Sequence, residues 1–155
     1  MYRYPATRDK ESPPAAPAPD LGRLAVSGHY IALRVGFAYP LEEDNALPAS
    51  WVEHYTRAGL LMADPVMHWV HGSTGSIRWS ALADRDSRGV LAQAAEYGLR
   101  FGLAVSILDP GPKGHRSWGS FARPDREFTD EEIALLEAYL RQPATQQLLP
   151  HPQCC

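Results

Sequence analysis

Apolar and polar residues alternate along HYIALRVGF, residues 29–37. Ile31, Leu33, Val35 and Phe37 share one side; Tyr30, Ala32, Arg34 and Gly36 share the other. That two-residue period predicts a half-buried strand. The period then lengthens. Over about 48–60 it is helical, with Pro48 suited to a first turn and Gly59 to an end. A second short helix is predicted from Pro65 to about His71, broken by GSTGS at 72–76. IRWSAL at 77–82 fits neither period cleanly. Residues 84–97 read as a helix stopped at Gly98, with Gly89 weakening its first half. RFGLAVSILD (100–109) and HRSWGSFA (115–122) read as hairpin strands joined by the turn PGPKG (110–114). The helix at 128–142 has the clearest signals. Thr129 caps it, Glu132 completes a capping box, and Phe128 staples onto Ile133. Ile133, Leu136 and Leu140 form its apolar stripe. Hairpin strands among helices predict an α+β layered domain with a mainly antiparallel sheet.

The ends depart from this patterning. Residues 1–20 hold Pro5, Pro13, Pro14, Pro17 and Pro19, a density that blocks helix and central strand alike. They predict a disordered or extended arm, and 143–155 a flexible tail. The folded part is expected over 21–142, without an internal repeat. A chain of 155 residues can bury a core without staples. Net charge is −3 with no block of Lys or Arg, so the footprint of a nucleic-acid binder is missing. No run of eighteen apolar residues suits a membrane, and no signal peptide opens the chain. The expectation is a cytoplasmic protein. Cys154 and Cys155, adjacent at the end, make neither a staple nor a zinc site.

Catalytic and metal chemistry find little support. His68 and His71 stand three apart, with His54 nearby, but no cysteine and no HExxH accompanies them. GPKG lacks the rest of a phosphate loop, and GxSxG is absent. The expectation is no enzyme, no metal and no cofactor. Glu42, Glu43 and Asp44 read as a solvated charge run before a loop.

WVEHYTRAGLLMADPV, residues 51–66, is the informative stretch. Trp51 and Tyr55 lie four apart on one helical face, and Asp64 precedes a proline. A structural reading accounts for each: two half-core aromatics, and an N-cap followed by Pro65 at the first helical position. A functional reading notes the polar atoms. Indole N–H and phenol O–H need partners when buried, and a buried carboxylate needs donors. Leu60, Leu61, Met62, Val66 and Met67 surround them. An apolar pocket with a few convergent polar groups is the usual design of a small-molecule site. This inventory suits a neutral ligand with carbonyls, one amide N–H and an apolar body.

The ordered set Pro48-x-x-Trp51-x-x-x-Tyr55-x-x-x-Gly59, Asp64-Pro65-Val66, Trp79 and Gly98-Leu99-x-x-Gly102 resembles the autoinducer-binding domain of LuxR-type quorum-sensing regulators. The likeness covers roughly residues 25–142. It implies an α/β/α sandwich around a five-stranded antiparallel sheet, with an N-acyl homoserine lactone between the sheet and one helical layer. By position, it implies that Trp51 donates to the lactone carbonyl and Tyr55 to the acyl-amide carbonyl. Asp64 accepts the amide N–H, Trp79 packs on the lactone ring, and Ser120 adds a bond to the amide carbonyl. Val66, Met67, Leu99 and the inward residues of 31–37 contact ring or chain. Asp64 is then short of a donor until ligand arrives, which couples folding to binding. Each buried methylene of a tail contributes about 0.8 kcal/mol to that coupling.

The chain also departs from the pattern. Leu47 stands where an aromatic is common, and Ser76 and Ser106 where proline is. Residues 20–28 are too few for the helices expected before the first strand. The helix-turn-helix DNA reader expected beyond the ligand domain is not in the sequence. Three readings follow. One is a sensor of a small amphiphilic ligand, as a homodimer or alone. Another is an interaction module that forms a heterodimer with a full-length LuxR-type regulator and disables it, since one DNA reader cannot hold two half-sites. The last is a decayed copy without ligand. Direct nucleic-acid or membrane binding is not expected.

Overall fold

The computed structural model describes residues 19–36, 39–109 and 114–142. Most of the proline-rich arm, Phe37 and Ala38, residues 110–113 of the turn expected at 110–114, and residues 143–155 with Cys154 and Cys155 lie outside the described residues.

Five strands form one antiparallel sheet: β1 (Gly28–Val35), β2 (Glu42–Asn45), β3 (Gly75–Arg78), β4 (Phe101–Leu108) and β5 (Arg116–Arg123), in the order β2-β1-β5-β4-β3. Helix α1 (Leu21–Leu24) is a single turn; α2 (Ala49–Arg57), α3 (Pro65–Gly72), α4 (Val90–Glu96) and α5 (Asp130–Leu140) follow. Helices cover both faces. Ile31, Leu33, Leu103, Val105 and Phe121 pack under α5 and the α1 region. Ala32, Ala104, Trp118 and Ala122 face the other way, toward α2, α3 and α4. The α/β/α sandwich is therefore present, and its two cores follow from strand alternation.

Several boundaries correct the sequence reading. The first strand ends at Val35, because Arg34 takes a positive φ of 52° and the pairing with β5 shifts between Ala32 and Val35. That irregularity turns Val35 away from the face of Ile31 and Leu33, onto the α2–α4 side. The acids at 42–44 are not a loop approach but the edge strand β2, paired with β1 from Leu33 to Tyr30. Charged residues carry no period-two apolar signal, so this strand was invisible to patterning. Part of GSTGS and the first residues of IRWSAL form β3, and Trp79–Arg85 is a 3-10 helix. The helix expected at 84–97 starts only at Val90. The Asp86 carboxylate accepts the amides of Val90 and Leu91 at 2.8 and 2.9 Å, and so fixes its first turn.

Two ties join the segments of the helical roof to one another. His54 bonds Gln93 at 2.7 Å, joining α2 to α4. Arg88 donates to the carbonyls of Ala58 and Gly59 at the end of α2. On the other layer, buried Arg123 donates to the carbonyls of Arg23 and Leu24 at 2.9 Å each, closing α1 against β5. Among the described residues, no helix is long and apolar enough to cross a membrane.

Candidate functional site

Helix α2 turns Trp51 inward, with 6% of its surface exposed, and Tyr55 one turn later. Gly59 ends the segment in the left-handed region, φ 63°, which glycine adopts without Cβ strain. A 3-10 turn, Leu60–Ala63, then delivers Asp64 in extended backbone to the start of α3. Asp64 Oδ1 accepts the Val66 amide at 2.9 Å, and Pro65 fills the first helical position. Tyr55 Oη donates to Asp64 Oδ2 at 2.8 Å. The cap and the convergent polar cluster are thus the same residue. The carboxylate is not left short of donors, as the resemblance implied; Tyr55 and the Val66 amide already serve both oxygens.

Burial decides the electrostatics here. It pushes the Asp64 carboxyl above its ordinary value, against the lowering effect of Tyr55 and the α3 amides. It likewise pushes the Tyr55 phenol well up, helped by the charge of Asp64. The phenol therefore keeps its proton and remains a donor.

Trp51 sits in an aromatic cluster, its ring centre 5.5 Å from Tyr55 and 5.4 Å from Tyr97. Trp79 opens its 3-10 helix and its indole lies against β4 at Gly102. A Cβ on Gly102 would fall 1.8 Å from the indole, so only glycine leaves room for the ring. The Trp79 N–H is buried and, among the described residues, has no hydrogen-bond partner. Such a group costs about 1–3 kcal/mol.

These side chains surround one cavity of about 260 Å³. Its roof is Trp51, Val52 and Tyr55 from α2, Asp64, Val66 and Met67 from the start of α3, and Val90, Leu91 and Ala94 from α4. Its floor is the sheet. Tyr30 pairs with Ser120 across β1 and β5, and with Asn45 across β1 and β2, so the three form a polar row. Trp118 lies two residues from Ser120 on the same face, with its ring centre 5.1 Å from that of Tyr30 and the planes tilted by 35°. Tyr30 donates to Glu43 Oε2 at 2.5 Å, and burial raises its pKa well above the ordinary value. Trp79 and Leu99 bound the cavity toward β4; Asn45 and Leu47 bound it at the β2 edge.

All eight residues singled out from the sequence, Trp51, Tyr55, Asp64, Val66, Met67, Trp79, Leu99 and Ser120, line this cavity. Ile31 and Leu33 do not. Both are buried under α5 in the opposite core, whereas Val35 packs on the cavity side without lining the cavity, and Phe37 lies outside the described residues. Tyr30, in the other alternation class, replaces Ile31 and Leu33. Sequence reasoning also missed Trp118, which period two from Ser120 could have found, and the α4 trio Val90, Leu91 and Ala94, which share a helical face. Leu47 was marked only as a departure from the family pattern, at a position where an aromatic is common, and it does line the cavity; Asn45 had no signal, because β2 had none. The histidines lie elsewhere: His68 and His71 bond the carbonyls of Met62 and Met67 at 2.8 and 2.7 Å. Among the described residues, no three His, Cys, Asp or Glu side chains cluster to hold a metal ion.

The lining carries one acid and no Lys, Arg or His. A buried carboxylate repels an anionic guest, and no base is present to receive one. The arrangement suits a neutral molecule with acceptors for Trp51 and Tyr55 and one donor for Asp64.

The family model described as the autoinducer binding domain matches residues 43–146. The transcriptional activator proteins AhyR of Aeromonas hydrophila and AsaR of Aeromonas salmonicida are each 28% identical to this chain over 123 residues. The match takes in 71% of this chain, and the chain spans 46% of the length of each relative. CepR2 from Burkholderia cenocepacia, an N-acylhomoserine lactone dependent LuxR family factor, superposes with a TM-score of 0.54 at 21% identity, over 72% of this chain and 66% of that one. SdiA residues 1–171 of E. coli in solution give 0.52 at 24% identity, over 73% and 71%. SdiA in complex with octanoyl-rac-glycerol gives 0.50 at 22% identity, over 73% and 50%. At these identities the solved structures establish the shared fold.

Proposed function

This chain belongs to the autoinducer-binding domain family of LuxR-type regulators, and from that premise we propose that it senses an N-acyl homoserine lactone or a similar uncharged amphiphile. The observation that carries the proposal is the Tyr55–Asp64 pair beside Trp51, set in an apolar cavity with no basic residue. In this reading Trp51 donates to the lactone carbonyl, and Trp79 packs on the ring. Tyr55 has one hydroxyl proton, so it cannot serve Asp64 and a ligand carbonyl together. Binding exchanges the bonds: the ligand amide N–H takes the place of Tyr55 at Asp64, and Tyr55 turns to the acyl carbonyl, where Ser120 adds a second contact. The number of satisfied groups does not fall, so the exchange costs little, and tail burial supplies the affinity. Val66, Met67 and Leu99 meet the apolar parts. The octanoylglycerol held by SdiA, a neutral octanoyl ester, supports the broader class of amphiphile.

The test is thermal melting with a panel of N-acyl homoserine lactones and octanoylglycerol. At least one ligand is expected to raise Tm, and Asp64→Asn, which presents a donor where an acceptor is needed, is expected to remove most of the shift. No rise with any ligand defeats the reading.

A second reading, pairing with a full-length LuxR-type regulator, draws on the layer opposite the cavity. Leu135 on α5 and Val26 beside α1 are 54% and 55% exposed there. Pull-down after co-expression with such a regulator is expected to give a mixed dimer; recovery of separate proteins only removes this reading.

A further inference from the structure

The cavity does not end at the β2 edge. Beyond it, between β2 and α2, lies an open groove on the surface, and cavity and groove share Asn45, Leu47 and Val52. Leu47 is half-buried and Asn45 exposed, as a sill between an interior and an exterior would be. Past the sill the groove is walled by Ala49 and Thr56 and rimmed by the ion pair of Glu53 and Arg57. Its base is apolar and its rim charged.

The positions of Asp64 and Trp79 set which part of a guest faces this opening. Asp64 starts α3, which packs on β4, and Trp79 lies on β4 at Gly102. In the sensor reading the headgroup is held by Asp64 and Trp79 on the β4 side, remote from β2, although Tyr30 and Asn45 keep the floor polar up to that edge. The sheet order then runs the cavity from β4, across β5 and β1, to the edge strand. A headgroup bonded at Asp64 sends its tail toward Leu47. The cavity volume, about 260 Å³, falls just below the usual range of small-molecule pockets, roughly 300–1,000 Å³.

We propose that the groove is an overflow subsite for the acyl tail: methylenes beyond the capacity of the cavity cross the sill at Leu47 and Val52 and lie along Ala49 and Thr56. This rests on the sensor reading above and adds a specificity to it. A closed cavity sets a maximum tail length, because overpacking is destabilising. A cavity that opens onto a groove sets none. Buried methylenes strengthen binding by roughly fourfold each. Those in the groove, covered on one side, strengthen it by less, but do not weaken it.

The experiment is a series of N-acyl homoserine lactones from butanoyl to tetradecanoyl, titrated into the whole chain and its Ala49→Trp variant by calorimetry. Ala49 is exposed at the first turn of α2 and does not line the cavity, so the indole fills only the groove. For the unsubstituted protein, affinity is expected to climb steeply with tail length and then more gently, without a fall. For Ala49→Trp, short tails are expected to bind unchanged, which also certifies folding, and long tails at least tenfold more weakly. A sharp loss of affinity beyond one tail length in the unsubstituted protein overturns the proposal. So does an Ala49→Trp variant that binds long tails normally, or that weakens short and long tails alike. If no lactone of any length binds, the sensor reading itself has failed, a result distinct from these.

Discussion

Asp64 joins structure and site in one side chain. It starts α3 through the Val66 amide and receives the Tyr55 hydroxyl on its second oxygen. Tyr55→Phe removes one of these donors, leaves the second oxygen of a buried carboxylate unserved, and is expected to cost about 1–3 kcal/mol in urea unfolding. The pH dependence has a definite sign. Burial raises the Asp64 pKa above 3.8, so the folded protein binds the proton more tightly than the unfolded chain. Stability therefore falls as pH rises through the window between 3.8 and the higher folded value, and stays lower above it. Asp64→Asn is expected to flatten that part of the stability profile, as followed by urea midpoints from acid to neutral pH. Gly102 makes a second residue-scale prediction. With the Trp79 ring on its Cα, Gly102→Ala must displace the indole, and a loss of about 1–3 kcal/mol is expected with a red shift in tryptophan emission. The sequence carried much of this scale. Trp51, Tyr55 and Asp64 were legible from spacing and residue type. Their mutual bonding was not, because a four-residue spacing gives a face and not the aim of a hydroxyl.

At the scale of elements, α5 is the best-specified helix. Thr129 Oγ1 accepts the Glu132 amide at 3.2 Å, and Glu132 accepts the Thr129 amide at 2.9 Å. Arg126 also bonds Glu132 and, as the largest influence, holds its carboxyl down to about 2 from 4.5. A lowered pKa means stability present above the unfolded value of 4.5 and lost as pH falls through about 2. Arg126 is 46% exposed, so screening trims the ion-pair share. Glu132→Gln is expected to cost about 1 kcal/mol at neutral pH and nothing in strong acid, measured by thermal melts at both. Why this helix was legible and β2 was not is a matter of what each element relies on. Capping chemistry and an apolar stripe are written in adjacent residues. β2 is held by backbone pairing to β1, with His29 bonding Asp44 at 2.9 Å and Arg34 bonding Glu42 at 2.6 Å, and those partners are far apart in sequence. The late start of α4 has a related cause: Asp86 sits four residues ahead of Val90, and its reach over Gly89 cannot be read from periodicity.

At the scale of the whole molecule, the sheet separates two cores, and the cavity of the candidate site lies in one of them. The α5 side is filled by Phe121, Phe128 and Leu136, all at most 1% exposed. The α2–α4 side holds the cavity. Heat and denaturant should therefore act unevenly, and a guest should stiffen the hollow side. With ligand at a hundredfold excess over Kd, mass action adds about 2.7 kcal/mol. Hydrogen exchange is expected to slow in α2, α3 and α4 on saturation with a binding lactone, and to stay nearly constant in α5; slowing confined to α5 contradicts this division. The α+β class and most elements were legible from periodicity. Which strand residues face which layer was not, because alternation says that two faces exist and leaves open which one is hollow. Ile31 and Leu33 went to the filled core for that reason.

The sheet also ends, at one side, on a strand written Glu-Glu-Asp-Asn. A strand arriving from another molecule would have to lay its backbone along three carboxylates to extend the sheet. That margin is thereby made unattractive to copies of the chain, a guard against fibrous assembly for a domain that holds a cavity.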